Sequence, residues 1–267
     1  MVKHWMSKPS RETLFVLIGT YNHEAFISQA IEGALAQKVD LPLKILVRDD
    51  ASTDQTSKIV SAYASRFPNV VIPILNTVNQ YSLGKGWALD LLNLVVKLTE
   101  DDDPVHVYLA FCEGDDYWTD ATKLQKQVDF LRKNRRVSMV HHAISVKLDD
   151  GDEFFFQTAR DYYAQLQSLP RIRYGKEIAR ANTVHLCSLV VRLSAVDFEL
   201  LERKPIGVHG DWTLAAGASR RGLVGFIRIS MAVYRVNARG VYASAEIESR
   251  EISDEKTRTY LSTALRW

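Results

Sequence analysis

Cysteine is almost missing from this chain: Cys112 and Cys187 are the only two in 267 residues, far apart and outside CxxC spacing. That excludes a disulfide framework and points to a reducing compartment or to buried thiols. An excess of one charge is missing too. The 34 Lys and Arg against 32 Asp and Glu leave a net charge of +2, without the basic stripe that marks a nucleic-acid partner. No apolar run approaches the length of a membrane span. The opening residues MVKHWMSKPSRE lack the apolar centre of a signal peptide. A cytoplasmic protein is the expectation, with peripheral attachment to the inner face of a membrane left open. Neither GxGxxG after the first strand nor GxxxxGKS/T occurs anywhere, so dinucleotide and P-loop chemistry are not indicated. Repeats, low-complexity segments and Pro/Gly-rich linkers are also lacking. With 46% hydrophobic residues the chain can bury a sizeable core as one unit.

What is present alternates. TLFVLIGTY (13–21), LKILVRDD (43–50), NVVIPIL (69–75) and VHVYLAF (105–111) are short apolar runs ending in polar residues, as buried parallel strands do. Between and after them lie helical patterns: Phe26, Ala30, Ile31, Ala34 and Leu35 at helical spacing, a segment capped by Ser52, Thr53 or Asp54 and running to about Phe67, Leu83 to Leu98, and 121–134. The order predicts an α/β fold: an open, mostly parallel twisted sheet with helices on both faces. The second half is mixed. SMVHHAISVKLDDGDEFFF (138–156) predicts two strands joined at Asp150-Gly151. VHLCSLVVRL (184–193) and GFIRISMAVYRV (225–236) predict further strands, with helices near 194–203 and 211–221 and a charged surface helix at the end.

In such sheets ligands bind beyond the carboxyl ends of the strands. Three predicted strands end in Thr20-Tyr21-Asn22, Asp49-Asp50 and Glu113-Gly114-Asp115-Asp116. If the strands are parallel, these ends share one edge. Each also has an ordinary explanation, as a turn, a helix cap and a solvated loop. Carboxylates crowded together repel at low dielectric and suit a divalent cation. Mg²⁺ or Mn²⁺, held by one or two carboxylates plus substrate phosphates, fits a ligand that carries a diphosphate. Asp50 is placed to accept from a pyrimidine imide N–H, and Tyr21 to cover the base.

VLIGTYNHEAFISQAIEGALAQ, LKILVRDDASTDQT and FCEGDDYWTDATKLQKQVDFL resemble the signature blocks of the family 2 inverting glycosyltransferases, which have the GT-A fold and use nucleotide-diphospho-sugars. With the later GDW, the resemblance spans most of residues 14–237. It implies a single GT-A domain over 1–267: a nucleotide-sugar-binding half at about 12–135, an acceptor-binding half at about 136–245 and a helical tail at 246–267. It implies a nucleotide site at Thr20, Tyr21, Asn22, Glu24, Asp50, Lys85, Glu113, Asp115 and Asp116, with metal on Asp115 and Asp116. Glu113 stands where the family usually has Asp. Asp211 matches the catalytic base, although an Asp there reads equally as a helix N-cap. Trp118, His209 and Trp212 are assigned to the sugar or acceptor pocket. Trp118 also reads as the anchor of the following helix. Asn237 falls where many relatives carry a histidine, and Arg235, Asn237 and Arg239 are candidates for the diphosphate. Two other readings stand beside this one: a nucleotidyltransferase, and a non-catalytic relative that binds a nucleotide sugar. The former usually wants a basic, glycine-rich loop after strand one, which GTYNHEAF is not. His141 and His142, on a strand pattern, face opposite sides and cannot easily share an ion.

Overall fold

A computed structural model describes residues 12–84, 86–148, 169–236 and 247–265. Lys85, Asn237, Arg239, the predicted Asp150-Gly151 hairpin and the run Phe154, Phe155 and Phe156 lie outside the described residues.

The first half follows the predicted alternation. Strands β1 (Thr13–Thr20), β2 (Leu43–Asp49), β3 (Val71–Leu75) and β4 (Val107–Glu113) are mutually parallel in the order β3-β2-β1-β4. Helices α1 (Ile27–Leu35), α2 (Thr56–Arg66) and α3 (Trp87–Leu98) connect them, and α4 (Lys123–Lys133) follows β4. Every residue of β1 is buried, because helices cover both faces and alternate side chains feed two cores. Phe15, Leu17, Leu46 and Phe111 pack with Leu91, Leu92 and Val95 of α3. Leu14, Val16, Ile18 and Val47 pack with Ile27, Ala30 and Ile31 of α1 and with Leu124 and Val128 of α4.

The second half departs from the sequence reading. The run 138–149 is not one strand: β6 (Val137–His142) ends, Ala143 and Ile144 intervene, and β7 (Ser145–Leu148) enters another sheet. The run 225–236 divides the same way, into β10 (Leu223–Ile227) and β11 (Ala232–Val236). β11 pairs with β7 and with the two-residue β5 (Tyr117–Trp118), which follows the acidic block. The run 184–193 gives a 3-10 turn at Leu186–Ser188 and only a three-residue strand, β9 (Val190–Arg192). β9 lies antiparallel between β4 and β6 and completes the order β3-β2-β1-β4-β9-β6-β10-β8, with β8 at Ile172–Arg173. Helices α5 (Phe198–Glu202), α6 (Gly210–Arg221) and α7 (Ile247–Leu265) close the face that α3 also covers. No described helix is long and apolar enough to cross a membrane.

Candidate active site

The expected convergence is present. Gly19 of β1 registers with Glu113 of β4, and Thr20 with Asp49 of β2. The three polar strand ends therefore stand side by side where strand order reverses, the place an open sheet offers a ligand. Gly114 turns the chain out of β4 beneath the β1 loop. A Cβ there would lie 2.5 Å from Thr20 Oγ1 and 2.8 Å from His23 Nδ1, so the acidic block tolerates no side chain at its second position.

Two loops are laced together at this edge. Asn22, in the left-handed region at φ 54°, accepts from the Thr53 amide at 2.8 Å and donates its own amide to Ser52 Oγ. The Glu24 carboxylate accepts from the Gln55 amide, and the Glu24 backbone amide donates to Asp54 Oδ2. Ala51, at φ 63°, holds a conformation that costs an L-residue about 1–2 kcal/mol. The Asn22 and Glu24 side chains thus join loop to loop. Asp50 is held in the same way. Its oxygens accept from Asn76 Nδ2, the Gln80 amide and the Tyr81 amide at 2.8–3.0 Å, and Arg48 lies 3.3 Å away. Burial would raise its pKa, but those amides, Asn76 and the Arg48 charge hold it below the usual value. Through these bonds Asp50 anchors the 76–81 loop. Tyr21, 42% exposed, keeps a ring free at the rim.

The acidic block divides by role. Asp116 is 2% exposed and accepts from the Arg235 amide at 2.9 Å and from Cys187. It ties the block to β11. Arg235 donates through Nε to the Asp115 carbonyl and through Nη2 to Gln29, and lies against the Phe26 and Tyr117 rings. It braces the block from a buried position. Trp118 sits as an anchor: its indole donates to the Cys187 carbonyl, Lys123 Nζ sits 3.9 Å over its ring and Gly33 packs on its backbone. Glu113 and Asp115 remain at the edge. Burial, then the charges of Asp115, Asp116 and Asp211, push the Glu113 carboxyl well above the carboxylate range.

Asp211 is where the halves meet, because it acts on Glu113 from the first turn of α6. Asn182 Nδ2 donates to its Oδ2 at 3.2 Å. Asp211 also acts on Tyr81, whose phenol is raised by burial and by the charges of Glu113 and Asp211, and on His185, held at about 4 chiefly by burial. Its HGDW neighbours turn away. Trp212 is 2% exposed and donates to the Ile178 carbonyl. His209 Nε2 pairs with Asp254 of α7 at 3.0 Å. Burial opposes the His209 charge, but the Asp254 hydrogen bond and the Asp211 and Asp254 charges outweigh it and raise its pKa.

Sequence reasoning passed over four residues that the fold brings here. His23 bonds Thr20 Oγ1 and places Nε2 3.9 Å from Asp115. Its position inside TYNHE was the available signal. Asn182, His185 and Tyr81 had none. Among the described residues no group of three or more His, Cys, Asp or Glu side chains stands ready as a metal cage. The donor set nonetheless fits a divalent cation. Glu113 and Asp115 supply oxygens, their charges are unfavourable together, and substrate phosphates characteristically complete such a sphere.

Residues 15–193 match the model of Glycosyl transferase family 2. The chain belongs to this family. An uncharacterized protein of Mycobacterium tuberculosis is 31% identical over 233 residues, 87% of this chain and 61% of its own. The chain thus spans 61% of the length of that relative. The dTDP-rhamnosyl transferase RfbG of Shigella flexneri is 32% identical over 114 residues, 43% of this chain and 36% of its own. Among solved structures, the mannosyltransferase PcManGT from Pyrobaculum calidifontis, in complex with GDP-Man and Mn²⁺, superposes with a TM-score of 0.61. It is 21% identical and covers 99% of this chain and 70% of its own. S. aureus TarS 1-349 with UDP-GlcNAc gives a TM-score of 0.57 at 15% identity, covering 95% and 71%. The expected family and the GT-A fold are borne out. Asp211 lies beyond the matched residues.

Proposed function

We propose that the chain is a metal-dependent inverting glycosyltransferase. It moves a sugar from a nucleoside-diphosphate donor, UDP- or dTDP-linked, to a hydroxyl of a glycan or lipid-linked acceptor, in the manner of surface polysaccharide synthesis. The observation that carries this reading is that Asp211 on α6 lies near enough to the Glu113-Asp115 edge of the sheet to act on the Glu113 carboxyl. The edge offers carboxylates for a cation and diphosphate, and α6 a single carboxylate. Donors named with the solved relatives, UDP-GlcNAc and GDP-Man, support a nucleotide sugar as ligand.

Asp115, with Glu113, would hold Mg²⁺ or Mn²⁺, and Tyr21 would cover the base. A bound cation supplies positive charge to the departing diphosphate. Asp211, oriented by Asn182, takes the proton of the acceptor hydroxyl. The acceptor oxygen bonds to the anomeric carbon as that carbon's bond to the diphosphate breaks. A single displacement with one base inverts the centre. This contrasts with retaining hydrolases, which form a covalent intermediate with a second carboxylate.

Calorimetric titration of UDP, dTDP and GDP, with and without Mn²⁺, tests the donor site on wild type and Asp115→Ala. Binding of one diphosphate that needs metal and is lost in the variant is the expected result. No binding to any of the three by folded protein leaves the acidic block as a structural tie between β4 and β11.

A further inference from the structure

Helix α7 is largely polar, yet four contacts fasten it to the segment that leads into α6. Tyr260 OH donates to the Leu200 carbonyl at 2.6 Å and Ser253 Oγ to the Gly207 carbonyl at 2.6 Å. The His209 amide donates to Thr257 Oγ1 at 3.0 Å, and the His209 ring pairs with Asp254. Leu261 and Leu265, wholly buried, seal the far end of the helix into the core. The fastenings bear on the turn between α5 and α6. Gly207 sits at φ 82°, and Ile206 beside it is 76% exposed. Two of the four contacts act on His209, the N-cap of α6, two residues before Asp211. The Thr257 hydroxyl receiving the His209 amide is wholly buried, so solvent does not compete for that bond. A carboxylate that must meet an acceptor hydroxyl loses effectiveness with displacements of an ångström. The place of its helix start therefore matters more than its own bonds show.

We propose that α7 sets the position of Asp211: Asp254 acting through the His209 ring, and Thr257 through the His209 amide, are positioning residues for the base. The inference rests on the reading of Asp211 given above. It assigns the C-terminal helix a part in turnover that lies outside the donor half and outside the family-matched segment 15–193.

Two variants separate positioning from mere support. Asp254→Asn weakens the fastening beside Asp211, and Tyr260→Phe removes one that bears on Leu200. Nucleoside diphosphate release is followed with the fastest donor among UDP-GlcNAc, UDP-glucose, GDP-mannose and dTDP-rhamnose. In Asp254→Asn, kcat is expected to fall about 10- to 100-fold with donor KM unchanged. In Tyr260→Phe, kcat should hold while the melting temperature drops. Amide hydrogen exchange over residues 207–213 reads the same effect without substrate: faster in Asp254→Asn, unchanged in Tyr260→Phe. Wild-type kcat in Asp254→Asn, or identical exchange in the two variants, overturns the proposal. Asp211→Asn, run alongside, keeps the two failures apart. Normal turnover there removes the base reading itself. An inactive Asp211→Asn beside a normal Asp254→Asn removes only the positioning role.

Discussion

Strands β1 to β4 run one way in one sheet, whereas those after residue 136 divide between two sheets and two directions. The first arrangement brings its chemistry to an edge by geometry alone: parallel strands of matched register end together, so whatever follows them meets. The second must carry single residues to that edge on turns and helix starts. Asp211 arrives on α6, Asn182 on the stretch before β9, and each depends on remote partners. Residues of the donor half are therefore replaceable mainly through local crowding. Those of the acceptor half are sensitive to supports far along the chain.

The largest effect that would sharpen this contrast is expected at the acceptor side. Asp211→Asn should leave nucleotide binding intact and lower turnover about 10²- to 10⁴-fold, the usual range for a lost general base; steady-state rates beside a diphosphate titration read both. In the donor half, Gly114→Ala drives a Cβ into Thr20 and His23. A loss of about 1–3 kcal/mol is expected from overpacking, together with weaker diphosphate binding. Gly86→Ala, where an added Cβ meets nothing within 4 Å, serves as its control in urea unfolding. Equal unfolding midpoints in the two would break the argument from close approach.

The smallest effect concerns Lys123, wholly buried between the halves, with its pKa brought down to about 7 by burial. The unfolded chain binds this proton more readily, so the group makes stability rise as pH climbs from about 7 toward the ordinary lysine value. Between pH 7 and 9 the gain is at most about 2 kcal/mol. Lys123→Met should remove that slope, which urea midpoints at the two pH values would reveal.

The sequence made the donor half legible because its strands are continuous apolar runs with both faces covered, a pattern local to each segment. The same reading found the carboxylates Glu113 and Asp115 at one strand end, and resemblance singled out Asp211. It did not show what holds Trp118 and Trp212, since a buried indole needs a carbonyl to receive its N–H. Those carbonyls belong to Cys187 and Ile178, far off in sequence. It joined 138–149 into one strand because the Ala143-Ile144 break leaves the apolar pattern nearly unchanged. The loop contacts of Asp50 were not legible either, because Gln80 and Tyr81, whose amides bond it, carry no sign of that contact.

Strand β9 has only three residues, yet it is the seam between two blocks of sheet. During synthesis on the ribosome, the free edge of β4 has no partner until residues 190–192 emerge. For that interval the nascent chain shows a flat, apolar strand flank, the kind of template on which neighbouring chains pair. Completion of the sheet is thus a late, long-range event. Damage to Val190, Val191 or Arg192 would register first as lost yield of soluble protein, before any defect in chemistry could be observed.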